Sequence, residues 1–189
     1  VADSAASLSK AGAGLDLGGI GKGAACDEAL RVYEKSGVSG AVIAVGGSVG
    51  VFGTKPDGSA WSIGVRDPAG DSAASLGMLQ LQKGCVSTSG TYEKKREYEG
   101  ITYHHILDPR TGFPAQSDLV SATVICDSGA LSDALATACI VLGRQKAEAL
   151  LAQYSAGYLL IGTDHVISAG GGAENRFVLS SGDYTLQKQ

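Results

Sequence analysis

Proline is scarce in this chain, with four residues in 189, while glycine is abundant at 28. That pairing disfavours a stiff or disordered linker and favours tight turns and close backbone approaches. Positive charge is also short: 15 Lys and Arg stand against 19 Asp and Glu, a formal net charge of −4. A nucleic-acid surface needs a basic footprint, so that partner is excluded. A small phosphate ligand held by backbone groups and a metal is not. The four cysteines, Cys26, Cys85, Cys126 and Cys139, show no CxxC or other metal-ligand spacing, so we read them as reduced and mostly buried. No apolar run is long enough to span a membrane. No secretory signal is visible, and since the chain begins at Val1 that absence excludes nothing. What is there is globular in composition, 44% hydrophobic and 18% charged, and long enough for one domain with a proper core.

The pattern predicts mixed α+β structure, with largely antiparallel strands and helices packed on one side. Asp16 to Gly37 runs from a glycine-rich turn into a helix, with Ala25, Cys26, Ala29, Leu30 and Tyr33 at helical spacing and Gly37 as the stop. "AVIAVGGSVGVFG" from Ala41 reads as two strands around Gly46-Gly47. "AWSIGVR" from Ala60, "MLQLQKG" from Met78 and "LVSATVICD" from Leu119 read as strands, the second with one wet face. "ALSDALATACIVLG" from Ala130 and "QKAEALLAQYSAG" from Gln145 read as helices. "YLLIGTDHVISAG" from Tyr158 reads as a hairpin turning near Thr163-Asp164.

Four stretches have the residue types for chemistry, and each has a plainer reading beside it. In "DLGGIGKG", a Gly-Gly turn before a helix offers backbone N–H groups to an anion, with Lys22 and Asp16 adding charge. The plainer reading is a tight turn needing positive φ. In "SDALATA", Asp133 and Thr137 are four apart and share one helix face. Two oxygen donors suit a hard cation such as Mg²⁺; alternatively Asp133 caps its helix and Thr137 bonds back to a carbonyl. In "STSGTYEKK", Ser87 to Lys95, the hydroxyls hold a phosphate or ribose, or form a polar turn into a solvated helix. In "YHHILDPRTGFP", His104 and His105 point to opposite faces if Ile101 to Leu107 is a strand. Pro109 and Gly112 favour the turn that follows. One histidine is then placed as a base, or one is exposed and the other hydrogen-bonded and structural. A phosphate ligand, a hard metal and a base together point to phosphoryl transfer.

"DLGGIGKGAACD", "VSTSGTYEK", "YHHILDPRTGFP" and "LSDALATACIVLG", in that order, resemble the successive motifs of the FAD:protein FMN transferase family, often called ApbE. The resemblance runs from about Asp16 to near the C-terminus. It implies an ApbE-like fold and a magnesium-dependent transferase that moves FMN from FAD to a Thr or Ser hydroxyl of a target flavoprotein and releases AMP. It implies that Asp133, Thr137 and the Gly19 carbonyl ligate Mg²⁺. Asp16, Lys22 and the backbone around Ile106 would contact FAD, as would Ser89 and Gly90. His105 matches the family base, with His104 dispensable.

Two departures stand out. Relatives in this family carry a long segment before "DLGG", whereas 15 residues precede Asp16 here. The resemblance therefore implies that 1–189 is one domain forming the C-terminal part of a longer family chain. The family also commonly has Asn before the Gly-Gly of the first hairpin and an acidic residue after it; this chain reads "AVGGS" from Ala44 to Ser48. Two other activities stay open: an FAD pyrophosphatase giving FMN and AMP, and a flavin-binding protein without catalysis. The family pattern implies work outside the cytoplasmic membrane through an anchor absent from this chain, with a cytoplasmic location as the alternative, toward which the scattered cysteines lean.

Overall fold

A computed structural model describes residues 5–71 and 73–189. Its centre is a seven-stranded sheet in the order β1-β2-β5-β8-β9-β10-β12. These strands are β1 (Gly40–Val45), β2 (Ser48–Gly53), β5 (Gly84–Gly90), β8 (Leu119–Cys126), β9 (Gly157–Gly162), β10 (Val166–Gly170) and β12 (Thr185–Lys188). Every neighbouring pair is antiparallel except β10 with β12. A second sheet, β11-β4-β3, is formed by β3 (Trp61–Arg66), β4 (Ser75–Leu81) and β11 (Phe177–Leu179). A two-stranded ribbon joins β6 (Arg96–Tyr98) and β7 (Ile101–Tyr103). The helices are α1 (Gly21–Lys35), α2 (Gly129–Leu142) and α3 (Arg144–Gln153). The α+β class and largely antiparallel pairing expected from the sequence are both present.

The large sheet is covered on two faces, and its sequence shows it. All six residues of β9 are buried. Leu159 and Ile161 join an apolar cluster with Val65, Leu76, Leu79 and Phe177 of the small sheet. Tyr158 and Leu160 join a second cluster with Leu135, Ile140 and Leu151 of α2 and α3. A strand buried on both sides reads as a continuous apolar run rather than an alternation. β4 shows the alternation expected of a half-wet strand: Leu79 and Leu81 are buried and Met78 is exposed.

Three expectations are corrected. The strand expected over Ile101 to Leu107 stops at Tyr103, so His104 and His105 lie in the irregular segment after it. Residues 84–90 form β5 and β6 follows, so the plainer reading of Ser87 to Lys95, a polar turn into a solvated helix, is replaced by strand, turn and strand. The β5 hydroxyls look like loop chemistry in sequence, but each has a partner on a neighbouring strand or on α2. Ser87 meets Ser48 at 2.9 Å and Ser132 at 2.8 Å, Thr88 meets Thr123 at 2.9 Å, and Ser89 meets Thr137 at 3.1 Å. On α1, Gly23 and Cys26 are buried, whereas Ala25 and Tyr33 face solvent.

The contact between α1 and α2 sets the positions of the polar groups. A Cβ on Gly23 would sit 1.8 Å from the Gly129 carbonyl oxygen, and one on Gly129 would sit 2.3 Å from the Gly23 carbonyl oxygen. Only glycine permits that approach. Asp27 of α1 then reaches the first turn of α2. Its carboxylate accepts from the Gly129 N–H at 2.5 Å, the Ala130 N–H at 3.1 Å and the Ser128 hydroxyl at 3.1 Å. A carboxylate there satisfies donors that a helix start leaves open and complements its dipole.

Candidate active site

Where α1, β5 and the segment after β7 meet, an open cleft of about 630 Å³ forms. It is lined by Asp16, Gly19, Lys22, Ser89, Gly90, His105, Ile106 and Thr137, eight of the nine residues singled out from sequence. The ninth, Asp133, is fully buried behind Lys22. Sequence reading did not assign Gly18, Thr88, Glu93 or Lys94 individually, nor Gly46 and Gly47 of the β1–β2 turn, which complete the wall. The departure at "AVGGS" was the signal for the last two. Gly47 is held against β5, its carbonyl accepting from the Thr88 N–H at 2.8 Å. A Cβ on it would lie 2.7 Å from the Thr88 carbonyl oxygen.

The glycine-rich turn is organised by its own polar groups. Asp16 Oδ1 accepts from the Gly18 N–H at 2.7 Å, and Lys22 Nζ donates to the Gly18 carbonyl at 2.9 Å. The turn closes on Leu17, whose carbonyl accepts from Ile20 and Gly21. Asp16 is exposed, so its remaining carboxylate oxygen faces outward. A Cβ on Gly19 would meet the Thr137 side chain at 3.8 to 4.0 Å, which puts the turn directly over α2.

Asp133 does not cap its own helix. Ser128 and Asp27 do that, and Asp133 instead serves α1. Its Oδ2 accepts from the Gly23 N–H at 3.1 Å and from Lys22 Nζ at 3.2 Å. Its Oδ1 lies 2.8 Å from the Lys22 ammonium, a charge contact, yet accepts no hydrogen bond in a favourable direction. Thr137 Oγ1 pairs with Ser89 rather than with a carbonyl. A buried carboxylate whose Oδ1 has only the lysine ammonium against it, beside a hydroxyl and a backbone turn, is an all-oxygen donor set. It fits a hard cation that keeps part of its water shell. Among the described residues no three or more His, Cys, Asp and Glu side chains cluster as metal ligands, so a cation here would rest on one carboxylate, a hydroxyl and backbone oxygen.

The adjacent histidines have separated roles. His104 is buried. Its Nδ1 accepts from the Ile106 N–H at 3.3 Å, which puts the proton on Nε2, and Nε2 donates to the Ala115 carbonyl at 3.0 Å. His105 is exposed, lines the cleft, and among the described residues makes no side-chain hydrogen bond. The next residues close on themselves. The Ala115 N–H donates to the Ile106 carbonyl at 2.9 Å, and the Asp108 N–H donates to the Phe113 carbonyl at 2.8 Å. Gly112 takes the positive φ, 74°, that its turn requires. Arg110 grips the Asp108 carboxylate through Nε and Nη2, and those bonds hold the carboxyl down to about 2. Both backbone groups of Ile106 are engaged internally, so only the second lone pair of its carbonyl is left to a ligand.

Sequence reading missed the support behind the cleft. Ser48, Ser87 and Ser132 form a buried hydroxyl chain that ends on the Gly129 carbonyl at 2.9 Å. It ties α2 to β2 and β5, one turn from Asp133.

Known proteins resemble the chain over this same region. A curated FAD:protein FMN transferase from Treponema pallidum is 34% identical over 190 residues, covering 96% of this chain and 52% of the relative. One from Klebsiella pneumoniae is 38% identical, over 77% of this chain and 44% of its own length. Among solved structures, the apbe protein of Thermotoga maritima has a TM-score of 0.72 and 37% identity, covering 78% of this chain and 48% of that one. The flavin transferase ApbE of Vibrio cholerae has a TM-score of 0.69 at 29% identity, over 78% of this chain and 47% of that one. The chain thus spans about half the length of the curated relatives it matches. The model of the ApbE family matches residues 1–160, and with the shared fold and cleft it follows that this chain belongs to the ApbE family.

Proposed function

We propose that the chain supplies the catalytic cleft of an FAD:protein FMN transferase. In that reaction a Thr or Ser hydroxyl of an acceptor flavoprotein attacks the FMN phosphorus of FAD. The new P–O bond joins FMN to the acceptor, the diphosphate P–O bond breaks, and AMP leaves with the bridging oxygen. The observation that carries this reading is the convergence of Asp16, Lys22, Ser89, His105 and Thr137 on one cleft, with a buried carboxylate behind it.

The residues divide the work. Asp133, Thr137 and the Gly19 carbonyl would hold Mg²⁺, which when bound neutralises charge on the diphosphate. The backbone of the Gly18-Gly19 turn and the Ser89 hydroxyl orient the phosphates and the ribose. Lys22 adds a positive charge at the same wall. His105, unbonded and facing the cleft, takes the proton of the attacking hydroxyl. His104 holds no substrate; it fixes the backbone that presents His105. The exposure of His105 also admits water, so hydrolysis of FAD to FMN and AMP is the competing outcome in this cleft. For location, the family pattern supports an extracytoplasmic site reached through an anchor. No helix among the described residues is long and apolar enough to cross a membrane.

The test is to incubate the chain with FAD, Mg²⁺ and a Thr-containing acceptor protein, then resolve products by chromatography and mass. The expected result is AMP together with acceptor heavier by one FMN. Free FMN with AMP establishes the hydrolase instead, and intact FAD favours the flavin-binding protein without catalysis.

A further inference from the structure

One ammonium group neutralises the buried carboxylate. Lys22 Nζ lies 2.8 Å from Asp133 Oδ1 and 3.2 Å from Oδ2, while it also donates to the Gly18 carbonyl. The two ends differ in burial: the lysine side chain is 35% exposed and the aspartate 0%. A buried carboxylate without a counter-charge is strongly destabilising. Lys22 therefore compensates Asp133 within the protein itself. The carboxylate has little else: its other protein donor is the Gly23 N–H, and Oδ1 accepts no directed hydrogen bond. A divalent cation on Asp133 would share the carboxylate with an ammonium already in contact with both oxygens. Two cations at that spacing repel.

We propose that Lys22 is a displaceable counter-cation for Asp133, exchanged for the metal when the metal binds. The inference rests on the metal reading above. The lysine stem is placed for the exchange. It lines the cleft, and its Cδ packs beside Gly46, 3.2 Å from where a Cβ on that residue would sit. An ammonium released from Asp133 swings into the cleft, where an anionic ligand meets it. Metal and polyphosphate then favour each other through one side chain. The metal frees the lysine that holds the anion, and the anion keeps the lysine off the carboxylate that holds the metal.

The experiment titrates the chain with Mg²⁺ alone by calorimetry and follows Lys22 by reductive methylation and peptide mass spectrometry. In Lys22→Met the Mg²⁺ dissociation constant is expected to fall by about tenfold, as in other coupled equilibria, while Lys22→Arg stays near wild type. In the wild-type chain, saturating Mg²⁺ is expected to speed Lys22 methylation about fivefold. In Asp133→Asn the lysine methylates fast with or without Mg²⁺. The labelling uses the wild-type chain, so it decides the matter even if Lys22→Met fails to fold. Wild-type methylation that ignores Mg²⁺, or a folded Lys22→Met with the wild-type dissociation constant, overturns the exchange. Mg²⁺ binding that survives Asp133→Asn, or that occurs in neither wild type nor Lys22→Met, overturns the metal reading and the exchange with it.

Discussion

The two halves of the cleft are built on opposite principles. On the α1–α2 side the buried side-chain groups are tied to partners far away in sequence: Asp27 on the start of α2, Asp133 on α1, and the serine chain on β2 and β5. On the histidine side the bonds are local. His104, Ile106, Asp108, Arg110 and Ala115 bond almost wholly among themselves, and His105 is left outside the network. The first side holds a charge in a buried place, which requires an over-determined frame. The second leaves one side chain, His105, exposed and unbonded at the cleft. Changes to the frame at Asp27 should therefore appear as stability, and changes to His105 as rate.

The largest separation is expected at His105. His105→Ala should lower FMN transfer by about 10²- to 10⁴-fold, the usual range for a lost acid–base group. Its Tm should stay at the wild-type value, because the ring is exposed and unbonded; a Tm drop matching the lost rate would erase the contrast between the two sides. Asp27→Ala tests the frame. It removes three accepted hydrogen bonds at the start of α2, so unfolding free energy in urea should fall by about 2 to 4 kcal/mol. The loss should appear whether or not FAD is present.

His104→Ala lies between the extremes. It leaves the Ile106 N–H and the Ala115 carbonyl without their partner, at a cost of about 1 to 3 kcal/mol. Because those bonds hold the neighbour of His105, transfer should also slow by about tenfold or more. His104→Gln, which can keep one of the two bonds, should recover part of both.

The smallest effect is read with pH. Burial pushes the Cys85 and Cys139 thiols up to about 12 and Cys126 to about 11. The folded chain keeps these protons where the unfolded chain releases them. Stability is thus fully present below the ordinary thiol range, about 9, and declines as pH rises toward 12. Asp108 gives the opposite arm. Its carboxyl is held down to about 2 by Arg110, so that contribution is present above the ordinary carboxyl range and is lost as pH falls toward 2. Urea midpoints across pH should show the alkaline decline, and an alkaline limb unchanged by Cys85→Ala would contradict it.

Much of the site was legible because its signals are periodic or local. Asp133 and Thr137 share a helix face by spacing alone, and the Asp-Pro-Arg-Thr-Gly turn declares itself through Pro109 and Gly112. Pairings across the chain were not. Lys22 and Asp133 are 111 positions apart, and nothing in either stretch marks the other as its counter-ion. The same holds for Ser48, Ser87 and Ser132. β5 was hidden for a related reason, since hydroxyls that satisfy one another across a sheet resemble hydroxyls that face water. β11 and β12 were missed because they are short. β12 also pairs in parallel with β10, a partner that no hairpin signal announces. Which of two neighbouring histidines is structural depends on the Ala115 carbonyl, and that acceptor arrives only when the turn folds back.

The touching glycines of α1 and α2 bear on how this protein tolerates variation. Gly23 and Gly129 carry no side chain and do not line the cleft, yet each leaves no room for even a methyl. Any substitution of either glycine wedges apart the helices that carry Lys22 and Asp133. In a mutational scan these two positions would be as intolerant as the carboxylate itself. A reader of that scan would be drawn to assign them a chemical role, when what they preserve is a distance.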